Sequence, residues 1–397
     1  MGEVANIPQL RFPEFSNEWE ESKVGKVFKV SAGGDIKTEN VSQIKTDGFP
    51  YPIYANAEKA KGLYGYSNLY KSEANVVTVA GRGVNIGIAH VRLEPFYPIV
   101  RLLVLNPIKD ADVKFWENQL NQLNLFVEST GVPQLTAPQI SSYKVKYPSK
   151  PEQQKIAAFL TAVDNKIEQL SKKQELLSEY KKGLMQKIFS QAIRFKADDG
   201  SDFPDWEDGL LNTLIDNSRK IRYGIVQPGK YDKNGKYLIR GKDYSNGWEI
   251  PSEFFKVSDA IEKKYSKTRV KKGDVIVCIV GSVGNVMVIP GWLDGANITQ
   301  TTARIAPDKN KLNNQYLYFY FQSLVGRNMI HKHTRVGTRP GLNIEDVEKF
   351  SILLPSLLEQ AKIANFLSSI DNKIEQVGKQ LDESKQFKKA LLQQMFV

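Results

Sequence analysis

Two stretches of this sequence are near copies of each other. The first, YPSKPEQQKIAAFLTAVDNKIEQLSKKQELLSEYKKGLMQKIF, begins at Tyr147, and the second, LPSLLEQAKIANFLSSIDNKIEQVGKQLDESKQFKKALLQQMF, begins at Leu354. They align without a gap at an offset of 207 residues (355 − 148), and the block DNKIEQ recurs unchanged at 164–169 and 371–376. A repeat of this length indicates a duplicated chain, and it limits the possible architectures before any residue chemistry is considered.

Each copy predicts one long helix. Its apolar residues recur at alternating steps of four and three, the a/d pattern that a helix buries against another helix. A proline stands near the start of each copy, where a helix tolerates it. At about 1.5 Å per residue, roughly 38 residues form a rod of about 55 Å. The residues predicted to pair the helices are Ile156, Leu160, Val163, Ile167 and Leu170 in the first copy and Ile363, Leu367, Ile370, Ile374, Val377 and Leu381 in the second.

Two packing arrangements fit this pattern. The helices can pair with each other in antiparallel orientation, which would make the chain a covalent pseudo-dimer with an approximate two-fold axis. Alternatively, each helix packs only on the domain next to it. We expect the first arrangement, because the two apolar seams are chemically alike and enough chain separates them for the helices to meet.

The repeat divides the chain into alternating domains and helices. The predicted boundaries are 1–146 for the first domain, 147–193 for the first helix, 194–353 for the second domain and 354–397 for the second helix. Short β-branched runs at 75–80, 99–105 and 274–280 predict strands, and helical patterns occur near 115–126 and 314–331. The predicted fold class is therefore α+β: two mixed α/β domains joined by two long antiparallel coiled-coil helices, with pseudo-two-fold symmetry.

Short matching motifs also flank the two domain interiors. The tripeptide Leu-Arg-Phe at 10–12, followed by Trp19, corresponds to Ile-Arg-Phe at 193–195, followed by Trp206. The interiors between such motifs align poorly by eye. We infer that the frame of the chain is duplicated while the domain interiors have diverged.

Composition favours a polyanionic partner and an intracellular setting. The formal net charge is +11, which favours nucleic acid, although a mildly basic balance alone proves little. No apolar run approaches the roughly 18–20 residues of a membrane-spanning helix, so no membrane partner is expected. The single cysteine, Cys278, excludes an intramolecular disulfide and predicts a reducing compartment, hence a cytoplasmic protein.

The familiar motifs of DNA-modifying enzymes are missing from the sequence. An amino-methyltransferase of DNA needs a Pro-Pro loop, but no two prolines are adjacent. The glycines at 229 and 235 have the wrong spacing for a nucleotide-binding P-loop. Three histidines and one cysteine are too few for a His/Cys zinc site. We therefore predict no catalytic residue and no metal site in this chain.

Two diverged domains alternating with two near-identical long helices resemble the specificity subunit of Type I restriction–modification systems. The likeness covers essentially the whole chain. It is most specific at LPSLLEQ (354–360), KIANFL (362–367) and DNKIE (371–375), while KPEQ at 150–153 departs slightly from the family pattern. YLIRGKD at 237–243 also is similar to a motif common in the target-recognition domains of this family.

The resemblance implies a non-catalytic subunit that reads a split, asymmetric target in double-stranded DNA. Each target-recognition domain would read one half-site, and the helices would set the spacer between the halves. Two modification subunits would bind this chain and supply S-adenosylmethionine and the site of adenine-N6 methyl transfer. Two restriction subunits can join them, with ATP and Mg²⁺, so no cofactor is expected in this chain itself.

A physical argument from the duplication leads to a similar expectation. A molecule with a pseudo-two-fold axis can present its domains to major grooves about one helical turn, or ~34 Å, apart. Base readout needs forked or bidentate polar side chains on loops, and phosphate contact needs Lys, Arg and backbone N–H groups. The candidate DNA-binding residues are Tyr54, Asn56, Lys59, Arg82, Asn85, Thr130 and Gln134 in the first domain and Arg240, Lys242, Asp243, Lys271, Lys272, Asn297, Gln300, His333, Arg335 and Arg339 in the second.

Two other classes of function stay open at this point. A self-contained DNA-modifying enzyme would need a catalytic loop that the motifs do not reveal. A structural coiled-coil scaffold would explain the long helices, but it would leave two diverged, loop-rich domains without a purpose.

Overall fold

The fold consists of two compact units, described in a computed structural model for residues 7–57, 59–123, 125, 133–245, 247–335, 337 and 340–397. Unit 1 comprises Met1–Ser171 and Lys379–Val397, and unit 2 comprises Lys172–Gly378. Each unit therefore contains one domain, the beginning of the long helix that follows that domain, and the last part of the other long helix. Every helix among the described residues is too short or too polar to cross a bilayer.

Within the described residues, unit 1 combines two four-stranded sheets, a two-stranded ribbon, four α-helices that begin in it and the last part of the second long helix. The strands are β1 (Glu20–Lys23), β2 (Phe28–Ala32), β3 (Val41–Ser42), β4 (Tyr51–Tyr54), β5 (Leu63–Ser67), β6 (Val76–Val79), β7 (Ala89–Arg92), β8 (Tyr97–Pro98), β9 (Leu103–Pro107) and β10 (Lys144–Tyr147). The helices are α1 (Val24–Val27), α2 (Val113–Asn121), α3 (Ala137–Ser142) and α4 (Lys150–Phe189), of which α4 continues into unit 2. The main sheet has the antiparallel order β2-β9-β6-β7, the second sheet has the order β3-β5-β4-β8, and β1 pairs with β10.

Unit 2 repeats this plan. Its strands are β11 (Glu207–Leu210), β12 (Arg222–Tyr223), β13 (Lys236–Ile239), β14 (Phe255–Val257), β15 (Val275–Cys278), β16 (Val286–Val288), β17 (Asn297–Ile298), β18 (Thr302–Ile305) and β19 (Ser351–Leu354). Its further helices are α5 (Asp259–Lys264), α6 (Asn314–Gln322), α7 (Leu324–His333), α8 (Ile344–Glu348) and α9 (Leu357–Met395). The sheet order β12-β18-β15-β16 corresponds strand for strand to β2-β9-β6-β7, and β14-β13-β17 corresponds to β5-β4-β8. In both units the central strand of the second sheet pairs in parallel with its neighbour, β4 with β8 and β13 with β17.

The predicted α+β fold class is confirmed by these sheets and helices. The duplication also extends through the domain interiors, where the sequence showed no alignment. Sheet topology survives divergence because it requires only that buried positions stay apolar, which many residue combinations satisfy.

A buried glutamate anchors the start of each unit to its long helix. In unit 1, Glu152 accepts hydrogen bonds from the Arg11 guanidinium (2.7 Å from both Nε and Nη2) and from Trp19 Nε1 at 3.3 Å. Glu152 is only 1% exposed, and its hydrogen bond raises the pKa of Arg11. The contact ties the N-terminal segment of the domain to the first turn of α4.

Unit 2 contains the same anchor 207 residues later in the chain (359 − 152). Glu359 is fully buried and accepts hydrogen bonds from Arg194 Nη2 at 2.9 Å and from Trp206 Nε1 at 3.0 Å. This hydrogen bond raises the pKa of the Arg194 guanidinium. The flanking motifs noticed in the sequence are therefore the partners of the repeated glutamate.

The glutamine after each glutamate fixes a helix of the domain. Gln153 Oε1 accepts a hydrogen bond from the backbone N–H of Asp112 at 3.0 Å, and Gln360 Oε1 accepts one from Asn313 N–H at 2.8 Å. Asp112 and Asn313 are the N-caps of α2 and α6. Each Glu-Gln pair thus joins three elements: the domain's entry segment, one domain helix and the long helix.

The long helices run antiparallel to each other within each unit. In unit 2, Lys181 of α4 forms an ion pair with Asp371 of α9 (N–O 2.6 Å), and in unit 1, Lys388 of α9 forms one with Asp164 of α4 (2.6 Å). Lys388 is the repeat counterpart of Lys181, and Asp371 is the repeat counterpart of Asp164. The second ion pair is therefore the same contact with the roles of the two helices exchanged. A single interaction therefore recurs in both units.

The apolar seams pack against both the partner helix and the domain. In unit 1, Ile156 and Leu160 share a core with Leu391 and Met395 of the other helix and with Trp19 of the domain. Unit 2 has the corresponding core, in which Ile363, Leu367, Ile370 and Ile374 meet Met185 and Ile188 together with domain side chains. Each seam therefore packs both on the other helix and on a domain, so neither of the two arrangements expected from the sequence holds alone. The partners of the first seam include turns of α9 that lie beyond the predicted seam.

The remaining seam residues differ in burial. Leu170, Val377 and Leu381 are buried, whereas Val163 and Ile167 are only partly covered.

Two element predictions need correction. The run 99–105 is not one strand: β8 ends at Pro98, a turn occupies 99–102, and β9 begins at Leu103. The predicted helix 314–331 is two helices, because Ser323 ends α6 and its hydroxyl accepts a hydrogen bond from Gly326 N–H at 3.1 Å to cap α7. Apolar periodicity cannot detect either break, since neither contains a proline and the turn contains no glycine.

Replacing Glu152 by alanine should lower the free energy of unfolding of unit 1 by about 3–5 kcal/mol, because the largely buried Arg11 charge and Trp19 Nε1 lose their acceptor. The matched change Glu359→Ala should act on unit 2. Chemical unfolding gives the size of the effect, and hydrogen exchange assigns it to a unit. The control is Glu175→Ala, which breaks an exposed ion pair with Lys172 and should cost less than about 1 kcal/mol. Equal losses in variant and control would contradict the anchoring role.

Candidate nucleic-acid interface

Four connecting segments of each domain meet at one end of its main sheet, which we call the loop end. In the first domain the loop end consists of residues 55–57, 80–88, 99–102 and 133–135, and in the second domain of 240–245, 279–285, 299–302 and 340–342. The segments meet because β6 ends where β9 begins, with Val79 opposite Leu103, and β15 ends where β18 begins, with Cys278 opposite Thr302. Loops gathered at one end of a sheet are a common place for binding residues.

Asn56 connects two segments of the first loop end. Its side-chain N–H donates to the carbonyl of Val100 at 2.5 Å, and its side-chain oxygen accepts from Gly81 N–H at 2.9 Å. Both functional groups of this amide are therefore engaged within the domain. The structure gives Asn56 a positioning role between the hairpin loop 80–88 and the turn 99–102.

Arg82 and Gln134 lie side by side across two further segments. Arg82 donates from Nη2 and Nε to the side-chain oxygen of Gln134, at 2.9 and 3.2 Å. The guanidinium is half-buried, and among the described residues it keeps further N–H groups without a partner, as does the amide N–H₂ of Gln134. The pair thus presents a fixed set of donors near the hairpin loop.

The other candidates in the first domain have different surroundings. The Tyr54 ring lies 3.6 Å from the guanidinium of Arg92, which is buried, and burial raises the pKa of the Tyr54 hydroxyl. Asn85 is half-buried in the hairpin loop, where its carbonyl accepts from Ile88 N–H at 3.1 Å. Thr130 and the side chain of Lys59 lie outside the described residues.

In the second domain, Arg240 and Asp243 are used internally. Asp243 is fully buried and accepts hydrogen bonds from Arg240 Nη2 at 2.8 Å and Nε at 3.1 Å. Arg240 also donates to the carbonyl of Glu253 at 2.9 Å. A base contact would have to compete with this cluster, so the structure favours a structural role for both residues.

Asn297 is a second candidate that the structure places in the core. It is fully buried, its amide donates to the carbonyl of Tyr265 at 3.0 Å, and its oxygen accepts from Thr268 Oγ1 at 2.7 Å. It cannot reach DNA without unfolding its surroundings. We therefore do not carry Arg240, Asp243 or Asn297 into the proposed DNA surface.

A cleft of about 880 Å³ opens at the second loop end. Polar side chains along it come from four places: the segment after β13, the glycine-rich loop between β15 and β16, the end of helix α6, and helix α7 with the residue that caps it. They are Ser245, Ser282, Asn285, Gln322, Arg327, His331 and Thr334. Gly281 and Gly284 have φ angles of +90° and +89°, which let the loop turn sharply at the cleft. A cleft of this size in which hydrogen-bond donors and acceptors converge is suited to bind a polar group of a ligand.

The remaining candidates at this end are accessible to different degrees. Lys242 and Gln300 are exposed, and Arg335 is exposed beside Asp346 at 3.7 Å. His333 is half-buried, with Nδ1 2.9 Å from the carbonyl of Met329. Arg339 lies outside the described residues.

Lys271 and Lys272 lie away from the loop end of the second domain. They precede β15, whereas the loop end follows it, and a four-residue strand separates the two groups by at least roughly 13 Å. Both lysines line a second polar cleft of about 950 Å³ together with Lys309 and with Leu357 at the start of α9. The sequence could not separate these two surfaces, because each is formed by residues distant along the chain.

Two ionisable groups at the second loop end, Cys278 and Tyr244, are buried. Cys278 is 1% exposed and its thiol donates to the carbonyl of Val280 at 3.2 Å. Burial raises the pKa of Cys278 and of the neighbouring Tyr244 hydroxyl, which lies 2.9 Å from Thr302 Oγ1. Both groups therefore stay neutral near pH 7. Among the described residues there is also no cluster of three or more His, Cys, Asp or Glu side chains suited to a metal ion.

Sequence reasoning missed several exposed groups at the loop ends. Val84 is fully exposed at the tip of the hairpin loop, and Val100 is 49% exposed beside the exposed Arg101. Val100 and Arg101 have φ angles of +52° and +58°, a left-handed conformation that costs on the order of 1–3 kcal/mol per non-glycine residue. No sequence signal marks this turn, since such turns normally carry Asn-Gly. Arg327 lines the cleft because of the direction in which helix α7 runs, and the sequence alone does not show this direction.

Comparison with known proteins agrees with this organisation. The family model described as "Type I restriction modification DNA specificity domain" matches residues 16–178 and again residues 215–384. The chain is 25% identical over 282 residues to the specificity subunit of the Escherichia coli Type I restriction enzyme EcoBI, covering 67% of this chain and 59% of that one, less than two thirds of its length. It is 27% identical over 429 residues to the putative MjaX specificity subunit of Methanocaldococcus jannaschii, covering 98% of this chain and 95% of the relative.

A solved structure has the same fold. The crystal structure of the S subunit of a Type I restriction–modification system from M. genitalium superimposes with a TM-score of 0.64 at 16% identity, covering 98% of this chain and 99% of the other. The family match accounts for most of the chain and falls on both units. The chain belongs to the Type I restriction–modification DNA specificity family, whose domain it contains twice.

Proposed function

We propose that this chain is the DNA sequence-specificity subunit of a Type I restriction–modification complex. It reads a split, asymmetric target in double-stranded DNA, one half-site with each loop end, and it docks the methyltransferase subunits. The observation that carries the proposal is that the two loop ends share one backbone frame and differ in the side chains mounted on it.

The hairpin bridge illustrates this difference. In the first domain the hairpin loop pairs with the following segment through Arg82 and Gln134, and in the second domain the corresponding bridge joins Val280 and Gly341. One bridge carries two polar side chains, whereas the other carries none. Because hydrogen-bonding side chains read base edges, such a difference predicts different half-sites.

The proposed contacts follow from accessibility. In the first domain they are the Arg82–Gln134 pair and Asn85, and in the second domain they are the exposed Lys242, Gln300 and Arg335 with the cleft residues Arg327 and His331. Lys271 and Lys272 lie away from the loop end, so we propose that they take no part in reading bases. The net charge of +11 favours the approach of DNA to the whole chain.

The chain is proposed to act without its own chemistry or cofactor. S-adenosylmethionine would be held by the modification subunits, and ATP with Mg²⁺ by restriction subunits where these join. The absence of methyltransferase motifs from the sequence supports this division. The protein would act in the cytoplasm, where its DNA substrate and its partners are found.

A repeated exposed aromatic residue supports docking of two copies of one partner. Tyr180 on α4 is 55% exposed, and Phe387, 207 residues later on α9, is 54% exposed. The adjacent residues, Lys181 and Lys388, form the repeated ion pairs, which hold both helices in the same local geometry. Large exposed aromatic side chains are frequent anchors of protein interfaces. We propose that each anchors one modification subunit.

The purified chain should transfer no methyl group to DNA by itself, and transfer should begin when modification subunits are added. The measurement is incorporation of labelled methyl groups from S-adenosylmethionine, with the modification subunits alone as control. Transfer by the isolated chain would contradict the proposed division of roles and favour a self-contained enzyme.

Tyr180→Ser and Phe387→Ser should each remove one of two bound modification subunits, because each takes away the exposed aromatic side chain that docking at one site would bury. Native mass spectrometry should show a change from two partner subunits per chain to one, and the double variant should bind none. Lys173→Ser, at an exposed position of α4, is the control and should keep both. Two bound subunits in the double variant would refute the anchors.

Exchanging the interior of the second domain should change one half-site only. Residues 211–350 lie between β11 and β19, so their replacement by the matching segment of a relative keeps Arg194, Trp206 and Glu359 in place. Mapping of methylated adenines in cells should then show a new second half-site beside an unchanged first one. The reciprocal exchange in the first domain is the control. A change in both halves after either exchange would show that the domains do not read independently.

A further inference from the structure

The turn Ile99–Leu102 in the first domain is held in an unfavourable backbone conformation by many hydrogen bonds. Leu102 N–H donates to Ile99 C=O at 3.0 Å, and the two central residues, Val100 and Arg101, both have positive φ, the pattern of a type I′ turn. Type I′ turns favour Asn-Gly, and a β-branched residue at positive φ is a genuine outlier.

The surrounding frame leaves this turn little freedom. Val100 N–H donates to Gly34 C=O and Arg101 N–H to Gly33 C=O, both at 3.1 Å, while the Val100 carbonyl accepts from Asn56. A side chain on Gly33 would lie only 2.7 Å from Pro98, so the two segments are packed as closely as backbones allow. The surroundings therefore hold the turn in a strained conformation. Such strain is common at functional sites, which indicates a functional role for the side chains of this turn.

The turn presents two side chains to solvent. Val100 is 49% exposed, and Arg101 is exposed. No described residue forms a hydrogen bond or ion pair with the Arg101 side chain. Within the part of the chain that the structure describes, its guanidinium therefore keeps all five N–H donors available, in contrast to Arg82, Arg92 and Arg240.

The second domain has a turn at the corresponding place, with a different backbone conformation and different side chains. Thr302 N–H donates to Thr299 C=O at 3.1 Å, and Gln300 N–H donates to Ile225 C=O at 3.0 Å, as Val100 N–H does to Gly34. Gln300 and Thr301 thus occupy the places of Val100 and Arg101, but without positive φ angles. The exposed Gln300 is a base-reading candidate from the sequence, which makes Val100–Arg101 its structural counterpart.

We propose that the Val100–Arg101 turn reads bases in the half-site of the first domain. Arg101 donates two hydrogen bonds to guanine O6 and N7, and Val100 contacts the methyl group of a neighbouring thymine; both are contacts that major-groove edges offer. This inference rests on the proposed function, and it names the reading element that the first domain uses in place of Gln300.

The test compares the targets selected by variants of the full chain. The wild type, alone and with modification subunits, selects from a pool of duplexes with random sequence, which defines both half-sites. Arg101→Lys keeps the charge but replaces the planar guanidinium fork by a single ammonium group on a flexible stem, which loses the fixed geometry of the two parallel hydrogen bonds. It should lower discrimination at one guanine by roughly 10-fold or more, while the second half-site is unchanged.

A second variant separates reading from folding. The double change Val100→Asn and Arg101→Gly installs the residues that a type I′ turn favours, so the melting temperature should rise while specific binding falls by at least about 10-fold. Lys109→Ala is the control: Lys109 is an exposed lysine beyond the opposite end of β9, and its loss should change binding by less than about twofold.

Base analogues identify the two contacts in the wild-type half-site. Replacing one guanine by 7-deazaguanine removes N7, and replacing one thymine by uracil removes its methyl group. Each should weaken wild-type binding at a single position and leave the Asn-Gly variant unaffected.

The outcomes distinguish the two levels of the proposal. If the Asn-Gly variant is more stable and selects the wild-type target with unchanged discrimination, the turn is not a reading element. If the wild type enriches no sequence, with or without modification subunits, the proposed function itself fails.

Discussion

Everything else in this fold depends on the buried contact between a glutamate carboxylate, an arginine and a tryptophan at the base of each unit. A carboxylate removed from water is costly unless charged or N–H donors surround it, and Glu152 and Glu359 each have both kinds of donor. The following glutamines extend the contact to α2 and α6. The domain, its first strand and its long helix therefore share one polar junction. The loops of the main sheet are not part of this junction, so their sequences can vary without affecting it.

This division explains why the two domains have kept their topology while losing their sequence likeness. Junction residues cannot change singly, because each has a buried partner elsewhere in the chain. Residues of the loop ends have fewer such partners. Where a loop-end residue does have them, as with Asn56 between two segments, it positions backbone and contributes no free side chain.

The sequence predicts the helices and the class of the fold because both follow from periodicity and repetition. Periodicity is visible within a short stretch, and a repeat is found by comparing the sequence with itself. It also identifies Arg11, Trp19 and their counterparts as meaningful, without showing what they touch. Its account of the loop ends is weaker. Arg240 and Asn297 are suitable residue types for reading bases, but one donates to a buried aspartate and the other is itself buried. Conversely, Val100 and Arg101 lie in a turn that no residue type within 99–105 indicates, so the apolar run predicts one strand where the structure has a turn followed by β9.

The discontinuous composition of unit 1 has a consequence for how the protein is made. The core that contains Trp19 and Phe115 is completed by Leu391 and Met395, and Leu10 N–H donates to Gln394 C=O at 2.9 Å. Unit 2, by contrast, is continuous in the chain. At about 5–20 residues per second, the ribosome reaches Lys379 some 10–40 s after Ser171, and during this interval the first domain exists without the helix that covers it. The unit synthesised first is thus the last to become complete, and its exposed apolar face would be a substrate for chaperones until translation has passed the second helix.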